Sequence, residues 1–150
     1  MYLTTLLTAD QIVYNLKSKN KNEIINELIR ALTKNEKVKD RQLALKNVLE
    51  RESHLSTGME NGLAVPHSKT TAVDELVIAF GLHKSGVNFD SLDGKPAHFI
   101  FLVLSPIDTS GPHIQALAQI SRKIKSPEIR EQLLKANSAD DIEKILSQAL

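Results

Sequence analysis

The most reactive side chains of this 150-residue sequence, which has no cysteine, are its five histidines: His54, His67, His83, His98 and His113. Most histidines in globular proteins are ordinary surface or boundary residues. His83 and His98 lie at the margins of predicted strands, where a polar cap is a sufficient account, and His54 lies in a predicted loop. His67 and His113 are the two candidates for chemistry, because the local sequence constrains each of them.

His67 follows a short apolar segment that ends in proline, GLAVPHSK over residues 62–69. Pro66 fixes its own φ and biases Val65 toward an extended conformation. It also removes a backbone donor, which a strand tolerates where its pairing stops. One interpretation is that the strand end aims the imidazole in a reproducible direction at the edge of the sheet. The alternative is that Pro66 merely terminates a strand and His67 is the first loop residue.

His113 is predicted in the first turn of a helix, directly after Pro112, a residue that suits the first helical position. Free N–H groups and the positive end of the helix dipole attract anions at such a position. They also depress the pKa of an imidazole, which keeps the ring neutral as a hydrogen-bond donor. The alternative is a solvated histidine at a helix start.

Arg51 is predicted near the end of a helix, where the dipole favours a cation in any case. Its planar guanidinium is also suited to binding an oxyanion. The residues Ser56, Thr57 and Gly58 that follow, together with Gly62, form a small loop able to approach a ligand closely.

The set of two imidazoles, one arginine and one helix N-terminus could receive, hold and release a phosphoryl group. A neutral imidazole is a competent nucleophile near its ordinary pKa of about 6.5, and phosphoryl oxygens need fixed positive partial charge. The sequence has no P-loop and no acidic metal cluster for a competing version of this reaction. A histidine-based metal hydrolase finds no support either, since there is no HExxH motif. A binding or signalling module with vestigial catalysis is the rival class.

The elements that must position these residues begin with helices. NKNEIINELIRALTKN carries an apolar stripe with Asn20 or Asn22 as its cap, and KDRQLALKNVLERES repeats the pattern with Asp40 as its cap. The second of these helices is predicted to end near residues 51 and 52. Its apolar positions are Leu45, Val48 and Leu49.

The last third of the chain returns to a helical pattern. GPHIQALAQISRKIK is predicted to bury an apolar face that consists of Ile114, Leu117, Ala118, Ile120 and Ile124. SPEIREQLLKAN and SADDIEKILSQAL follow as two further helices, each with a serine at the cap position.

Three apolar segments in the middle of the chain, GLAVPH, ELVIAFGLH and HFIFLVLSP, are typical of strands. Two of them are apolar nearly throughout, as expected for strands that helices cover on both faces. GVNFDSLDGKPAH between them is a loop or hairpin connection with an Asp-Gly turn at residues 93 and 94. The predicted fold is a three-layer α/β domain whose mixed sheet is flanked by helices on both faces.

Composition and charge exclude several classes of protein. With 19 Lys and Arg against 18 Asp and Glu, a net charge of +1 gives no reason to expect a nucleic-acid or anionic-membrane partner. The longest apolar run, FIFLVL at residues 99–104, is far short of a membrane span, and the N-terminus does not resemble a signal peptide. We therefore predict a cytoplasmic protein that is not inserted in a membrane.

Two histidine motifs carry a resemblance to a known family. RESHLSTGMENGLAVPH, residues 51–67, resembles the signature of the fructose/mannitol-type (type 2) enzyme IIA domain of the bacterial phosphoenolpyruvate-dependent phosphotransferase system (PTS). SGPHIQALAQISRKI, residues 110–124, is similar to the second histidine motif of this family. The similarity covers nearly the whole chain, which implies one EIIA domain over residues 1–150.

The resemblance implies a role for each candidate residue. His67 would be the phosphorylated residue, His113 the second histidine of the active site, and Arg51 an arginine that helps to hold the phosphate. The donor would be a histidine-containing phosphocarrier protein and the acceptor a cysteine of a IIB domain, supplied by a separate partner. No metal or organic cofactor is expected.

Two questions within the family stay open at the level of sequence. The compact STGMENGLAVPH segment resembles both the fructose-type branch, which serves sugar transport, and the nitrogen-regulatory branch, whose phosphorylation state controls the binding of other proteins. We favour a phosphoryl carrier for a fructose-like sugar, with the regulatory role as the alternative. Met59 and Glu60 depart from the small residues that are common in the family, and Glu60 either faces solvent or tunes which partner docks.

Overall fold

The helices lie where the sequence provides apolar stripes and capping side chains. The structure is a computed structural model, which describes residues 3–148 apart from the side chain of Thr4. Within that range the helices are α1 (Leu3–Leu6), a 3-10 turn (Ala9–Gln11), α2 (Lys21–Lys34), α3 (Arg41–His54), α4 (Gly111–Ile124), α5 (Pro127–Leu134) and α6 (Ala139–Leu146). The predicted caps Asn20, Asp40, Ser126 and Ser138 each accept a hydrogen bond from a backbone N–H of the first turn. Such a cap contributes about 1 kcal/mol to helix stability. The sequence segment predicted to form the last helix extends to residues 149 and 150, which lie outside the described residues.

The end of α3 lies further along the chain than the sequence predicted. α3 continues to His54, because its buried positions are Ala44, Val48 and Glu52, one turn apart, and the helix must run past the last of them. Leu45 and Leu49 are only half-buried. Arg51 therefore lies within the last turn of α3 and not at its end.

The buried face of α4 also differs from the predicted one. The helix buries His113, Ala116, Ile120 and Ile124, whereas Ile114 is 64% exposed. The apolar residues of this helix are spread over a wide arc, so periodicity alone did not decide which edge of the arc faces the sheet. The face that the helix does bury carries His113 inward.

The strands form one mixed sheet across residues 3–148. They are β1 (Ile12–Val13), β2 (Leu63–Ala64), β3 (His67–Lys69), β4 (Val77–Val87) and β5 (Ala97–Ser105). The order is β1-β4-β5-β2, with β3 also paired to β5, and β4 and β5 are antiparallel while the other pairs are parallel. The N-terminal elements α1, the 3-10 turn and β1 were not predicted.

Helices cover both faces of this sheet, which confirms the predicted three-layer α/β fold. Successive residues of β4 alternate between two cores, since Ala79 packs on the side of α2 and α3 while Phe80 packs on the side of α4, α5 and α6. β5 alternates in the same way with Leu102 and Phe101. Burial on both faces explains why these two strands are apolar nearly throughout.

Pro66 interrupts the strand pairing without ending it. The carbonyl oxygen of Pro66 accepts a hydrogen bond from the backbone N–H of Val103 at 3.1 Å, and pairing on β5 resumes with His67 opposite Val103. The strand β2 ends at Ala64, just before Pro66, as expected, but His67 begins a new strand on β5, so the alternative that His67 begins a loop was wrong. Because the residues on both sides of the proline are paired to one long strand, the backbone direction of His67 is fixed by the sheet itself.

None of the helices between residues 3 and 148 has the length and the apolar composition that crossing a membrane requires.

Candidate active site

The two candidate histidines come together at the end of the sheet. His67 begins β3, and His113 lies in the first turn of α4, which packs against the neighbouring β5. The ring centroids are 5.3 Å apart and the rings are tilted by 58°. Folding therefore brings together two histidines that are distant in the chain.

The hydrogen bond made by His67 determines which of its ring nitrogens can react. Nδ1 lies 2.7 Å from the carbonyl oxygen of Val65. A carbonyl oxygen can only accept, so Nδ1 carries the ring proton and donates it. In the neutral ring the lone pair is then on Nε2, which is the nitrogen available as a nucleophile.

The surroundings of His67 keep the ring in this neutral form. Burial lowers the pKa of His67, the hydrogen bond to Val65 raises it, the positive charge of Arg51 lowers it and the negative charge of Glu52 raises it. The net direction is downward from the ordinary value of 6.5. His67 is therefore unprotonated near neutral pH, as a nucleophile must be.

His113 is almost completely buried, with 7% of its surface exposed, so it is not the solvated histidine of the alternative interpretation. Its Nδ1 lies 2.5 Å from the hydroxyl oxygen of Ser105. Burial lowers the pKa of His113 to about 4, and the nearby charges of His67 and Lys69 add to the effect. The predicted direction is confirmed, but burial and not the helix dipole is the larger cause.

The lowered pKa of His113 predicts that stability depends on pH. In the unfolded chain the ring takes up a proton near pH 6.5, whereas in the folded protein it does so only near the pKa of about 4. The unfolded state thus binds more protons between these values, and stability rises as pH increases from about 4 to 6.5 and is level above. We expect the free energy of unfolding to fall by roughly 2 kcal/mol between pH 7 and 4.5 from this group.

Urea unfolding of the unmodified protein and of His113→Gln, measured across this pH range, isolates that contribution. The difference in unfolding free energy between the two proteins should shrink as pH falls below 6.5. A difference that stays constant between pH 7 and 4.5 would show that His113 is not held neutral by the fold.

Arg51 is half-buried beside a cavity of about 310 Å³ that also has His67 in its wall. One guanidinium nitrogen, Nη1, donates to the carbonyl oxygen of Leu55 at 3.0 Å. That bond ties the end of the Arg51 side chain to the loop that follows α3. The charge of Arg51 lowers the pKa of His67, and the same charge would favour a negative group on that ring.

The loop of Ser56, Thr57 and Gly58 is held from both sides. Buried Glu52 accepts hydrogen bonds from the backbone N–H of Thr57 at 2.8 Å and from its hydroxyl at 2.5 Å, and it pairs with Lys21 at 3.1 Å. On the other side, a Cβ added to Gly58 would lie 2.6 Å from the hydroxyl oxygen of Ser91. Gly58 therefore permits the close approach of two chain segments.

The segment around Glu60 forms a tight turn away from the histidines. The backbone N–H of Leu63 donates to the carbonyl oxygen of Glu60, and the two central residues Asn61 and Gly62 have φ of 63° and 76°, as a type I′ turn requires. The Glu60 side chain is exposed. It borders a neighbouring cavity of about 260 Å³ together with Lys125, and not the cavity at His67.

Sequence reasoning missed residues that support the site. Ser105 is the polar residue that directly follows the apolar run of residues 99–104 in β5, and Glu52 lies four residues after Val48 on the buried face of α3. A polar residue at a position predicted to be buried was the sequence signal in both cases. Lys69, two residues after His67 in β3, donates to the hydroxyl of Ser110 at 2.8 Å.

The other three histidines lie outside this constellation. His54 is exposed at the end of α3, and His98 directs Nδ1 to the carbonyl oxygen of His83 at 2.9 Å. His83 is buried inside β4 and bonds through Nε2 to the carbonyl oxygen of Ser18. Among residues 3–148 there is no group of three or more His, Asp or Glu side chains placed to hold a metal ion.

The sequence of this chain matches a known family. The profile described as "Phosphoenolpyruvate-dependent sugar phosphotransferase system, EIIA 2" matches residues 5–149. The fructose-specific EIIABC component of the PTS from Bacillus subtilis is 43% identical over 148 residues, which is 99% of this chain. The chain spans only 23% of the length of that relative.

Two solved structures have the same fold. The nitrogen regulatory protein IIA-Ntr from Neisseria meningitidis superimposes with a TM-score of 0.88 at 29% identity, covering 97% of this chain and 99% of that one. The mannitol IIA enzyme of Escherichia coli, in its complex with phosphorylated IIB, superimposes with a TM-score of 0.79 at 21% identity, covering 95% of this chain and 99% of that one.

Proposed function

Since this chain belongs to the EIIA type 2 family of the phosphoenolpyruvate-dependent sugar phosphotransferase system, we propose that it accepts a phosphoryl group on Nε2 of His67 and passes it on. The observation that carries this proposal is the bond from Nδ1 of His67 to the carbonyl oxygen of Val65. It leaves the Nε2 lone pair for attack on phosphorus. In this proposal residues 1–150 act as one EIIA domain.

The proposed transfer moves a phosphoryl group between two nitrogens. The Nε2 lone pair of His67 forms the new P–N bond as the P–N bond of the donor phosphohistidine breaks, and the electron pair of the broken bond returns to the donor imidazole. His67 retains its proton on Nδ1, where the Val65 carbonyl stabilises the positive charge that the phosphorylated ring carries. In the next step a thiolate attacks the phosphorus and the His67 ring leaves as a neutral imidazole.

Three groups beside His67 would stabilise the negative charge of the phosphoryl oxygens. His113, with its ring centroid 5.3 Å from that of His67, would act as a neutral hydrogen-bond donor. The guanidinium of Arg51 would face the oxygens from the side of the cavity, and Lys69, whose charge acts on His113, would add a second cation. Fixed donors and charges of this kind supply most of the catalysis in phosphoryl transfer.

The proposed donor is a histidine-containing phosphocarrier protein and the proposed acceptor is a cysteine of a IIB domain. A complex of the related mannitol IIA with IIB supports the acceptor. Exposed apolar side chains at the rim of the cavity, Leu55 at 68% and Leu92 at 77% exposure, suit contact with a protein partner. The reaction would take place in the cytoplasm, in keeping with a sequence without cysteine.

Incubation of the chain with phosphoenolpyruvate, enzyme I and the phosphocarrier protein tests this function. We expect the intact mass to increase by one phosphoryl group, and the increase to disappear on brief acid treatment, because a phosphorus–nitrogen bond is labile in acid. A control without enzyme I should show no change. No gain in mass with all components present would contradict the proposal.

The similarity to IIA-Ntr supports a regulatory role as the second candidate. The carrier role predicts that the phosphorylated chain transfers its phosphate to a purified fructose-type IIB domain. The regulatory role predicts no such transfer, together with a pull-down in which binding of a target protein differs between the phosphorylated and free forms.

A further inference from the structure

Ser105 is the buried polar side chain at the carboxyl end of β5. None of its surface is exposed, and its hydroxyl oxygen lies 2.5 Å from Nδ1 of His113. The backbone holds this position firmly, since the carbonyl oxygen of Ser105 accepts from the N–H of Thr70 at 2.8 Å and β3 pairs alongside. Because this hydroxyl is buried and its backbone is fixed, its hydrogen can point to only a few possible acceptors.

The direction of the bond between Ser105 and His113 follows from a count of donors and acceptors. Within the part of the chain that the structure describes, Nδ1 of His113 is the hydrogen-bond partner of this hydroxyl. If Nδ1 carried a proton and donated it, the buried hydroxyl hydrogen would have no acceptor, at a cost of about 1–3 kcal/mol. The hydroxyl therefore donates, Nδ1 accepts, and the ring hydrogen of neutral His113 is on Nε2.

The two histidines of the site are thus held in complementary states. Val65 requires a proton on Nδ1 of His67 and leaves Nε2 as a lone pair, whereas Ser105 requires a lone pair on Nδ1 of His113 and leaves Nε2 as a donor. A reacting phosphoryl group needs one nitrogen of each kind, a nucleophile for phosphorus and a donor for oxygen.

We propose that Ser105 is a positioning residue for phosphoryl transfer, which acts by holding His113 in the tautomer with hydrogen on Nε2. The part of this proposal that concerns transfer rests on the function proposed above. The part that concerns the tautomer does not, because it can be measured in the protein without phosphate.

Ser105 also opposes the protonation of His113. A protonated ring carries hydrogen on Nδ1, so the Ser105 hydroxyl would have to turn and accept, and its own hydrogen would then be buried without a partner. The same contact therefore keeps the ring both neutral and oriented, which is what a hydrogen-bond donor to developing negative charge requires.

Nitrogen-15 NMR of the histidine side chains in the full chain at neutral pH tests the tautomer. In the unmodified protein we expect one form of His113, with hydrogen on Nε2. In Ser105→Ala we expect a mixture of both tautomers, while Ser105→Thr, which retains the hydroxyl, should keep the Nε2–H form. Hydrogen on Nδ1 of His113 in the unmodified protein would overturn the proposal, and so would an unchanged single tautomer in Ser105→Ala.

Transfer rates test the positioning role. We expect Ser105→Ala to accept phosphate from the phosphocarrier roughly tenfold more slowly than the unmodified protein. This slowing is smaller than the one that follows complete removal of a hydrogen-bond donor, because His113 still adopts the correct tautomer part of the time. Ser105→Thr should be close to the unmodified rate. Thr33→Ala removes a hydroxyl that bonds within α2, far from the site, and should leave the rate unchanged.

The outcomes of the two measurements are distinguishable. A changed tautomer together with an unchanged transfer rate in Ser105→Ala would overturn the positioning role. If the chain accepts no phosphate at all, the function proposed above fails, while the tautomer measurement still decides what Ser105 does to His113.

Discussion

Replacing His67 with alanine is expected to abolish the incorporation of acid-labile phosphate. The change removes the Nε2 lone pair, and His113 cannot take over, because the hydrogen of its neutral ring is on Nε2 and the lone pair on Nδ1 accepts from the Ser105 hydroxyl. The loss should therefore be complete within detection and not a partial slowing. Intact-mass measurement after incubation with phosphoenolpyruvate, enzyme I and the phosphocarrier protein gives the readout.

The matched control for this variant is His54→Ala. It removes one histidine that is exposed at the end of α3, so its mass should still increase by one phosphoryl group. Thermal unfolding of both variants checks that each is folded. Phosphate retained on folded His67→Ala would refute the assignment of His67 and would direct attention to His113.

Replacing His113 with alanine is expected to slow phosphoryl transfer to His67 by about 10²–10³, the usual effect of removing one donor from a site of developing charge. The nucleophile remains, so slow phosphorylation should persist. His113→Gln should recover part of the loss, since its amide N–H₂ extends to about the place of Nε2–H. Single-turnover transfer from phosphorylated phosphocarrier protein, followed by rapid quench, measures the rate.

His98→Ala serves as a control for His113, because His98 is a strand residue whose ring bonds to the carbonyl oxygen of His83, away from the site. We expect its transfer rate to match that of the unmodified protein. Equal rates for His113→Ala and the unmodified protein would mean that this ring does not contact the transferred group. A loss in His113→Gln as deep as that in His113→Ala would indicate that the ring, and not the donor, is required.

Much of the fold could be predicted because it follows from local patterns. The caps Asn20, Asp40, Ser126 and Ser138 and the doubly covered strands β4 and β5 were identified from residue types and periodicity alone. The errors arose where a pattern permits two solutions. The apolar arc of α4 permits either Ile114 or His113 to face inward, and only packing against β5 decides for His113.

Pro66 also shows what local sequence patterns cannot predict. Its local chemistry, a fixed φ and a missing donor, indicated the end of a strand. The structure shows that the chain pairs with β5 on both sides of the proline. Pairing partners belong to a distant part of the chain, so no local rule could have predicted that His67 lies in a strand.

The sequence by itself determined which side chains are available for chemistry: His67, His113 and Arg51, in motifs specific enough to resemble one family. Only the tertiary structure decided the protonation of the two histidines. The carbonyl of Val65 and the hydroxyl of Ser105 assign the hydrogens of the two rings, and burial lowers both pKa values. A tautomer depends on which atom lies within hydrogen-bond distance, and a pKa depends on how much solvent is excluded. Both are properties of residues brought together by folding and not of residues adjacent in the chain.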